Sequence, residues 1–245
     1  MLVSVLTATF NRRATFLPQC LDNVRHQIGD GFDYEHIVID DCSTDGTWDY
    51  LQQVARADPR VKPIRTRATR MMAHAQNCGL DVATGDLVVP LDDDDLLLPR
   101  SLQLHTEFMR DHPDIDWSFG HTLRIDADNR LLDSAWENET KYAATEYSDD
   151  PAEFFTILLA ANRVLGNTVV LRRSALVEVG GWDEEVVCQD WALWLRLTHA
   201  GKRHARRRDY LACRRVHPHQ LTTIHQVDGT YDRDQQYFWE LYGHR

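Results

Sequence analysis

The chain has 245 residues, 43% apolar and 27% charged, with 27 Lys plus Arg against 38 Asp plus Glu. That length and apolar share fit one large globular domain or two small ones and exclude a disordered chain. The formal net charge of -11 excludes a general nucleic-acid binder, which needs a positive footprint to displace counterions; a local anion site stays open.

No window approaches the roughly 18 to 20 uninterrupted apolar residues of a membrane span. The opening MLVSVLTATFNRR places its basic residues after the apolar run, the reverse of a secretory leader. The five cysteines (Cys20, Cys42, Cys78, Cys188, Cys213) are odd in number, scattered and without a C-x-x-C pair. They read as reduced thiols of a cytoplasmic protein.

Leu2 to Ala8 is a short β-branched apolar run and predicts a buried strand. Residues 13–28 carry Phe16, Leu17, Leu21, Val24 and Ile28 at helical spacing. HIVID at 36–40 is a second buried strand, DCSTDG at 41–46 a turn of capping residues, and 47–57 a helix with Trp48, Leu51 and Ala55 on one face. A weak strand at 61–65, a helix at 70–83 and a strand at 86–91 follow. Pro99 opens the next helix, continued through 102–109. Alternating strands and helices with short connections predict a mostly parallel α/β sheet covered by helices on both faces.

Beyond residue 115 the pattern changes. WSFGHTLRI, DADN and RLLDSAW predict a hairpin, 140–165 is poorly periodic, TVVLRR is a strand, and 190–199 is a helix rich in Trp and Leu. With no linker and no repeat, residues 1–245 form a single domain.

Ligands of open parallel sheets bind beyond the carboxyl ends of the strands. Those ends carry Thr9-Phe10-Asn11-Arg12, then Asp40 to Gly46, then Asp92-Asp93-Asp94-Asp95. Four adjacent aspartates repel one another unless a cation or strong donors sit among them. Aspartate oxygens suit Mg2+ or Mn2+, which substrate phosphates commonly complete. Neither G-x-x-x-x-G-K-[ST] nor G-x-G-x-x-G is present, so metal and side chains must neutralise the phosphates.

The chain resembles the GT-A fold, family 2 glycosyltransferases, which are typically inverting. VSVLTATFNR is similar to that family's first strand and its P-T-Y-N-R ending; IVIDDCSTDGT to V-V-D-D-G-S-T-D-G-T. AHAQNCGLDVATGDLVVPLDDDDLLLP resembles the A-R-N to L-D-x-D-D block, and GGWDEEVVCQDWALWLRL resembles G-G-F-D-E followed by E-D-W-D-L-W-L-R. The blocks keep the family's order over residues 2 to about 220. The resemblance implies a GT-A, Rossmann-like nucleotide-diphospho-sugar transferase fold. Residues 1–115 would form a nucleotide-binding half and residues 116–245 an acceptor-binding half.

By that resemblance Ala8 (through its backbone), Thr9, Asn11 and Asp41 contact the donor's base and ribose. Asp92 serves the ribose or metal shell, Asp93 fills the variable middle position, and Asp94 ligates Mn2+ or Mg2+. Asp190 is the catalytic base of a single in-line displacement, and His217 reaches the metal or diphosphate. Ala8 replaces a proline. Gln76, in the nucleotide-binding set, replaces an arginine that Arg65, Arg67 or Arg70 would stand in for. Gln189 replaces the glutamate before the base. The donor is a UDP-, GDP- or dTDP-sugar; the acceptor is a small molecule, a lipid-linked sugar or a glycan.

Plainer readings compete. The aspartate run resembles an acidic turn before a helix, though a solvated turn has no use for four like charges. Asp190 alone would be a helix cap, and His217 or His219 surface loop histidines. Trp191 and Trp194 read as core, with acceptor stacking as the alternative. The basic run from Lys202 through Arg208, with Arg214 and Arg215, is a solvated strand, a pyrophosphate clamp or a dock for an anionic acceptor or lipid phosphate. The aromatic tail Tyr231, Tyr237, Phe238, Trp239 and Tyr242 packs as a last helix, or else forms a homodimer or peripheral membrane contact. Two rival functions remain: a sugar nucleotidyltransferase, whose glycine-rich loop TATFNRR lacks, and a non-catalytic nucleotide-sugar binding module.

Overall fold

Strand β1 (Leu2–Thr9) is buried along nearly its whole length and lies between two parallel neighbours, β2 (Asp33–Asp40) and β4 (Leu87–Pro90). Burial on both faces accounts for its continuous apolar run. β3 (Val61–Arg65) pairs in parallel outside β2. The computed structural model describes residues 1–69, 71–132, 146–218, 220 and 229–243.

Four helices, α1 (Leu17–Arg25), α2 (Thr47–Ala57), α3 (Met72–Val82) and α4 (Ser101–Asp111), alternate with these strands. α1 is shorter than its apolar spacing predicts, because Pro18 starts it and residues 12–15 make a turn. The period of two sorts β1 between layers. Val3 and Val5 pack with Leu87, Leu102 and Met109, whereas Leu6 packs with Ile37, Ile39 and Val88.

The second half departs from a parallel sheet. β6 (Trp117–Ile125), β7 (Val170–Arg172) and β8 (His204–Arg215) extend it, with the short β5 (Leu96–Leu97) at the far edge. The order is β3-β2-β1-β4-β7-β6-β8-β5. β7 runs antiparallel to both β4 and β6, β6 and β8 are parallel, and β5 is antiparallel to β8. The basic run is therefore mostly strand β8.

Residues 151–160 form a helix, α5 (Pro151–Ala160), where periodicity predicted none. PAEFFTILLA is apolar on almost every face, so it carries no stripe. Its start is set instead by Pro151 and by Asp150, which accepts from the amides of Ala152 and Glu153 at 2.8 and 3.1 Å. α6 (Arg173–Glu178) and α7 (Gln189–His199) complete this layer. Trp194 stacks on Trp117 with ring centroids 5.2 Å apart, so both belong to the core.

The last helix, α8 (Thr230–Tyr242), packs as expected through Phe238, which meets Trp191 edge-on; Tyr237 and Trp239 face solvent. The hairpin begins as read: Asp126 to Asn129 make its turn, and Ile125 bridges Leu131. Its return segment, residues 133–136, lies outside the described residues. Among the described residues no helix is long and apolar enough to cross a membrane.

Candidate active site

The register of β1, β2 and β4 brings three loops to one edge. Thr9 pairs with Asp40, and the chain after β4 stays beside β1 because the Leu91 amide donates to the Leu6 carbonyl at 2.9 Å. The first two loops are stitched by Asn11, whose left-handed backbone (φ 53°) turns its amide to Ser43 Oγ at 2.8 Å. Asn11 Oδ1 accepts from the Thr44 amide, also at 2.8 Å. An asparagine tolerates that conformation better than most residues. Asp41 is buried, its carboxylate accepting from Thr66 Oγ1 at 2.7 Å.

The third loop carries the aspartates, and each has a different environment. Asp93 turns back to β1, accepting from Thr9 Oγ1 at 2.6 Å, with Arg12 3.8 Å away. Asp95 is buried and accepts from the Arg215 amide at 2.8 Å and from Asn167 Nδ2 at 2.7 Å. Asp94 lies 2.9 Å from His217 Nε2. Asp92 is open to the cleft. Asp92, Asp94 and Asp95 each offer an oxygen within 4.8 Å of the others'.

Crowding disfavours ionisation here. Desolvation, then the charges of Asp94, Asp93 and Asp190, push Asp92 up to about 7 against the pull of Arg214. Desolvation and Asp94 likewise lift Asp93 to about 7, against Thr9 and Arg12. Asp95 is raised well above the ordinary carboxylate range, first by desolvation and then by Asp94 and Asp92.

Arg215 holds this loop. Its guanidinium, buried over the Phe16 ring, donates to the Asp94 carbonyl at 2.7 Å, to Asn129 Oδ1 at 2.7 Å and to Gln19 Oε1 at 3.2 Å. It acts on the aspartates through their backbone.

Asp190 stands in the first turn of α7 and lines the same cleft. Its carboxylate accepts from the Trp191 amide at 2.7 Å and faces Asn162 Nδ2 at 3.4 Å. Desolvation raises its pKa, opposed by those donors and by Arg214. The strap before it is fastened to α3. Asn77 donates to the Trp182 carbonyl at 2.9 Å and to Glu184 at 2.8 Å, and accepts from the Trp182 amide at 2.8 Å.

Ala8, Thr9, Asp41, Gln76, Asp92, Asp93, Asp94 and Asp190 all line one cleft of about 490 Å³. It is floored by apolar groups such as Trp182 and Trp194 and rimmed by carboxylates. The sequence profile of glycosyl transferase family 2 matches residues 4–163. The chain belongs to that family.

Its relatives agree. It is 24% identical over 196 residues to an "uncharacterized glycosyltransferase" of Methanocaldococcus jannaschii, covering 80% of this chain and 64% of that protein. It is 25% identical over 208 residues to the Escherichia coli UDP-Glc:alpha-D-GlcNAc-diphosphoundecaprenol beta-1,3-glucosyltransferase, covering 82% and 71%. Among solved structures, S. aureus TarS with UDP-GlcNAc superposes with a TM-score of 0.71 at 19% identity, over 90% of this chain and 60% of that one. A Pyrobaculum calidifontis mannosyltransferase with GDP-Man and Mn2+ gives 0.65 at 22%, over 89% and 57%. These likenesses establish the GT-A fold. The chain spans less than two thirds of the archaeal relative and of both solved chains.

Two family-inferred residues stand apart from the cleft wall. Asn11 is exposed and its side chain is engaged between loops, and His217 sits behind Asp94 against Phe16. Of the suggested replacements for the family arginine, Arg65 and Arg67 do not reach the cleft. Arg65 is held by Asp40 at 3.2 Å and by the Ser43 carbonyl at 2.6 Å, and Arg67 is exposed away from it. Arg70 and His219 lie outside the described residues. Sequence reasoning missed Arg12, Asn162 and Asn167. Asn162 and Asn167 follow α5 and meet Asp190 and Asp95 only through the tertiary fold; no spacing announces them.

Proposed function

We propose that the chain is a metal-dependent, inverting glycosyltransferase that moves a sugar from a UDP-, GDP- or dTDP-linked donor to an acceptor hydroxyl or amine. The observation that supports it is the convergence of two acidic elements on one cleft, Asp92 to Asp95 from the loop after β4 and Asp190 from the first turn of α7. A single displacement asks for a base on a different segment from the leaving-group site, since base and leaving group act on opposite faces of the anomeric carbon.

The donor set fits a divalent cation. Three carboxylates converge within 4.8 Å, and desolvation with mutual repulsion raises two of them, so a cation among them would favour their ionised forms. Asp94 with Asp92 would hold Mn2+ or Mg2+, with His217 beside Asp94 as a third group. The bound ion would draw charge from the departing diphosphate. Ala8, Thr9, Asp41, Gln76 and Asp93 form the nucleotide wall, and Asn11 keeps its loops in register. Asp190, fixed by Trp191 and Asn162, accepts the proton of the acceptor hydroxyl. Its desolvation makes it a better base than an exposed aspartate.

Residues 1–115 supply the donor half and 116–245 the acceptor half of one domain. The name of the Escherichia coli relative, which specifies a diphosphoundecaprenol-linked acceptor, favours a lipid-linked acceptor here. Five cysteines outside any disulfide favour a reducing cytoplasm. The test is incubation of UDP-, GDP- and dTDP-sugars with the protein and Mn2+, following slow donor hydrolysis by proton NMR. We expect one donor class to turn over with the first-formed sugar inverted. Retention of configuration, or no turnover of any donor, rejects the reading.

A further inference from the structure

Three cations line the cleft among the described residues: Arg12, Arg214 and Arg215. Two are committed to protein partners. Arg12 faces Asp93, and Arg215 spends its guanidinium on the backbone of the acidic loop, on Asn129 and on Gln19. The guanidinium of Arg214 makes no hydrogen bond and no ion pair with any described residue.

Strand geometry explains the contrast. β8 pairs with β6 through Arg124↔Arg214 and Ile125↔Arg215. Successive side chains leave a strand on opposite faces. Arg215 therefore turns onto Phe16 and the loop, and Arg214 takes the other face, at the cleft.

A free guanidinium in a cleft bounded by Asp41, Asp92, Asp94 and Asp190 is unusual, because a carboxylate in reach takes such a fork bidentately. Its field nevertheless spans both walls, pulling down Asp92, Asp95 and Asp190 alike. The chain has no glycine-rich loop to cradle phosphates, and Gln76 on α3 is uncharged. A diphosphate held at the acidic loop would leave oxygens that only a side chain can meet. The planar fork of arginine matches them.

We propose that Arg214 is the phosphate clamp of this cleft, its guanidinium taking two non-bridging oxygens of a diphosphate between the acidic loop and Asp190. This rests on the nucleotide-sugar reading and adds to it the residue that grips the leaving group. Fixed donors aimed at developing negative charge stabilise it as the glycosidic bond breaks. The same chemistry would serve the diphosphate of a lipid-linked acceptor, so the test separates the two sources.

Calorimetry under saturating Mn2+ compares UDP and GDP with their nucleosides, and farnesyl diphosphate as the lipid probe, on wild type, Arg214→Gln and Arg214→Lys. We expect Arg214→Gln to weaken the preferred nucleoside diphosphate roughly 10- to 100-fold and to leave its nucleoside unchanged. Arg214→Lys, keeping charge without the fork, falls between. Loss confined to farnesyl diphosphate supports the clamp and assigns it to the acceptor. An unchanged ratio of diphosphate to nucleoside affinity, with Mn2+ affinity alone altered and farnesyl diphosphate unaffected, overturns it and leaves Arg214 as charge compensation. Wild type is the control for the underlying reading: if it binds neither diphosphate, that reading fails first and the clamp with it.

Discussion

Thr9 donates its hydroxyl to Asp93 at 2.6 Å across 84 residues of sequence. The last residue of β1 thereby fixes the acidic loop that follows β4. Thr9→Val keeps the shape and removes the donor, leaving a buried carboxylate with Arg12 3.8 Å away. We expect a loss of about 1 to 3 kcal/mol in denaturant unfolding at pH 8 and a several-fold weaker Mn2+-dependent affinity for nucleoside diphosphate. Unchanged values in both would show that the loop is held without Thr9.

Asp94 meets both the carboxylate cluster and His217. Asp94→Ala should abolish Mn2+-dependent nucleotide binding in calorimetry. Folding should survive, since the loop stays bonded to Arg215 through the Asp94 carbonyl and the Asp95 carboxylate. His217→Gln should weaken Mn2+ by a smaller factor, because Asp92 and Asp95 still converge there. Equal binding by Asp94→Ala and wild type would remove the metal site from the acidic loop.

Asp190→Asn keeps size and polarity but cannot accept a proton. We expect donor affinity within about twofold of wild type and turnover reduced roughly 10²- to 10⁴-fold, the usual contribution of a positioned base. Steady-state kinetics with donor and acceptor both saturating reads this directly. Near-wild-type turnover would reassign the base.

Much of this site was legible because its residues sit where a strand's end must place them. Thr9 ends β1, Asp41 follows β2 directly and Asp92 comes one residue beyond Leu91 after β4, and a parallel sheet brings such ends to one edge. The legible part stops where the fold becomes long-range. Asn167 reaches Asp95 across 72 residues, and Arg215 reaches the Asp94 carbonyl across 121. Arg215 was readable as part of a basic run, but not as buried, since its burial depends on β8 pairing with both β6 and β5. α5 escaped for a different reason: a helix apolar on all sides leaves no period to detect.

Acid stability isolates another long-range tie. Glu35 on β2 is buried. It accepts from Ser4 Oγ at 2.6 Å, from the Thr84 amide at 2.7 Å and hydroxyl at 2.9 Å, and from Lys62. Desolvation opposes its ionisation, but Lys62, Ser4 and Thr84 prevail and hold its pKa down at about 2. A carboxyl with its folded value below the unfolded one, ~4.3, stabilises fully above the unfolded value. That contribution fades as pH falls toward about 2. The gap corresponds to roughly 3 kcal/mol. We therefore expect wild type to exceed Glu35→Gln by that order in urea unfolding at pH 6, with the difference shrinking between pH 4.5 and 2.5. Taking the difference between the two proteins cancels the carboxylates of the cleft, which Glu35→Gln leaves in place. A difference that stays constant with pH would mean that Glu35 contributes by packing and not by its charge.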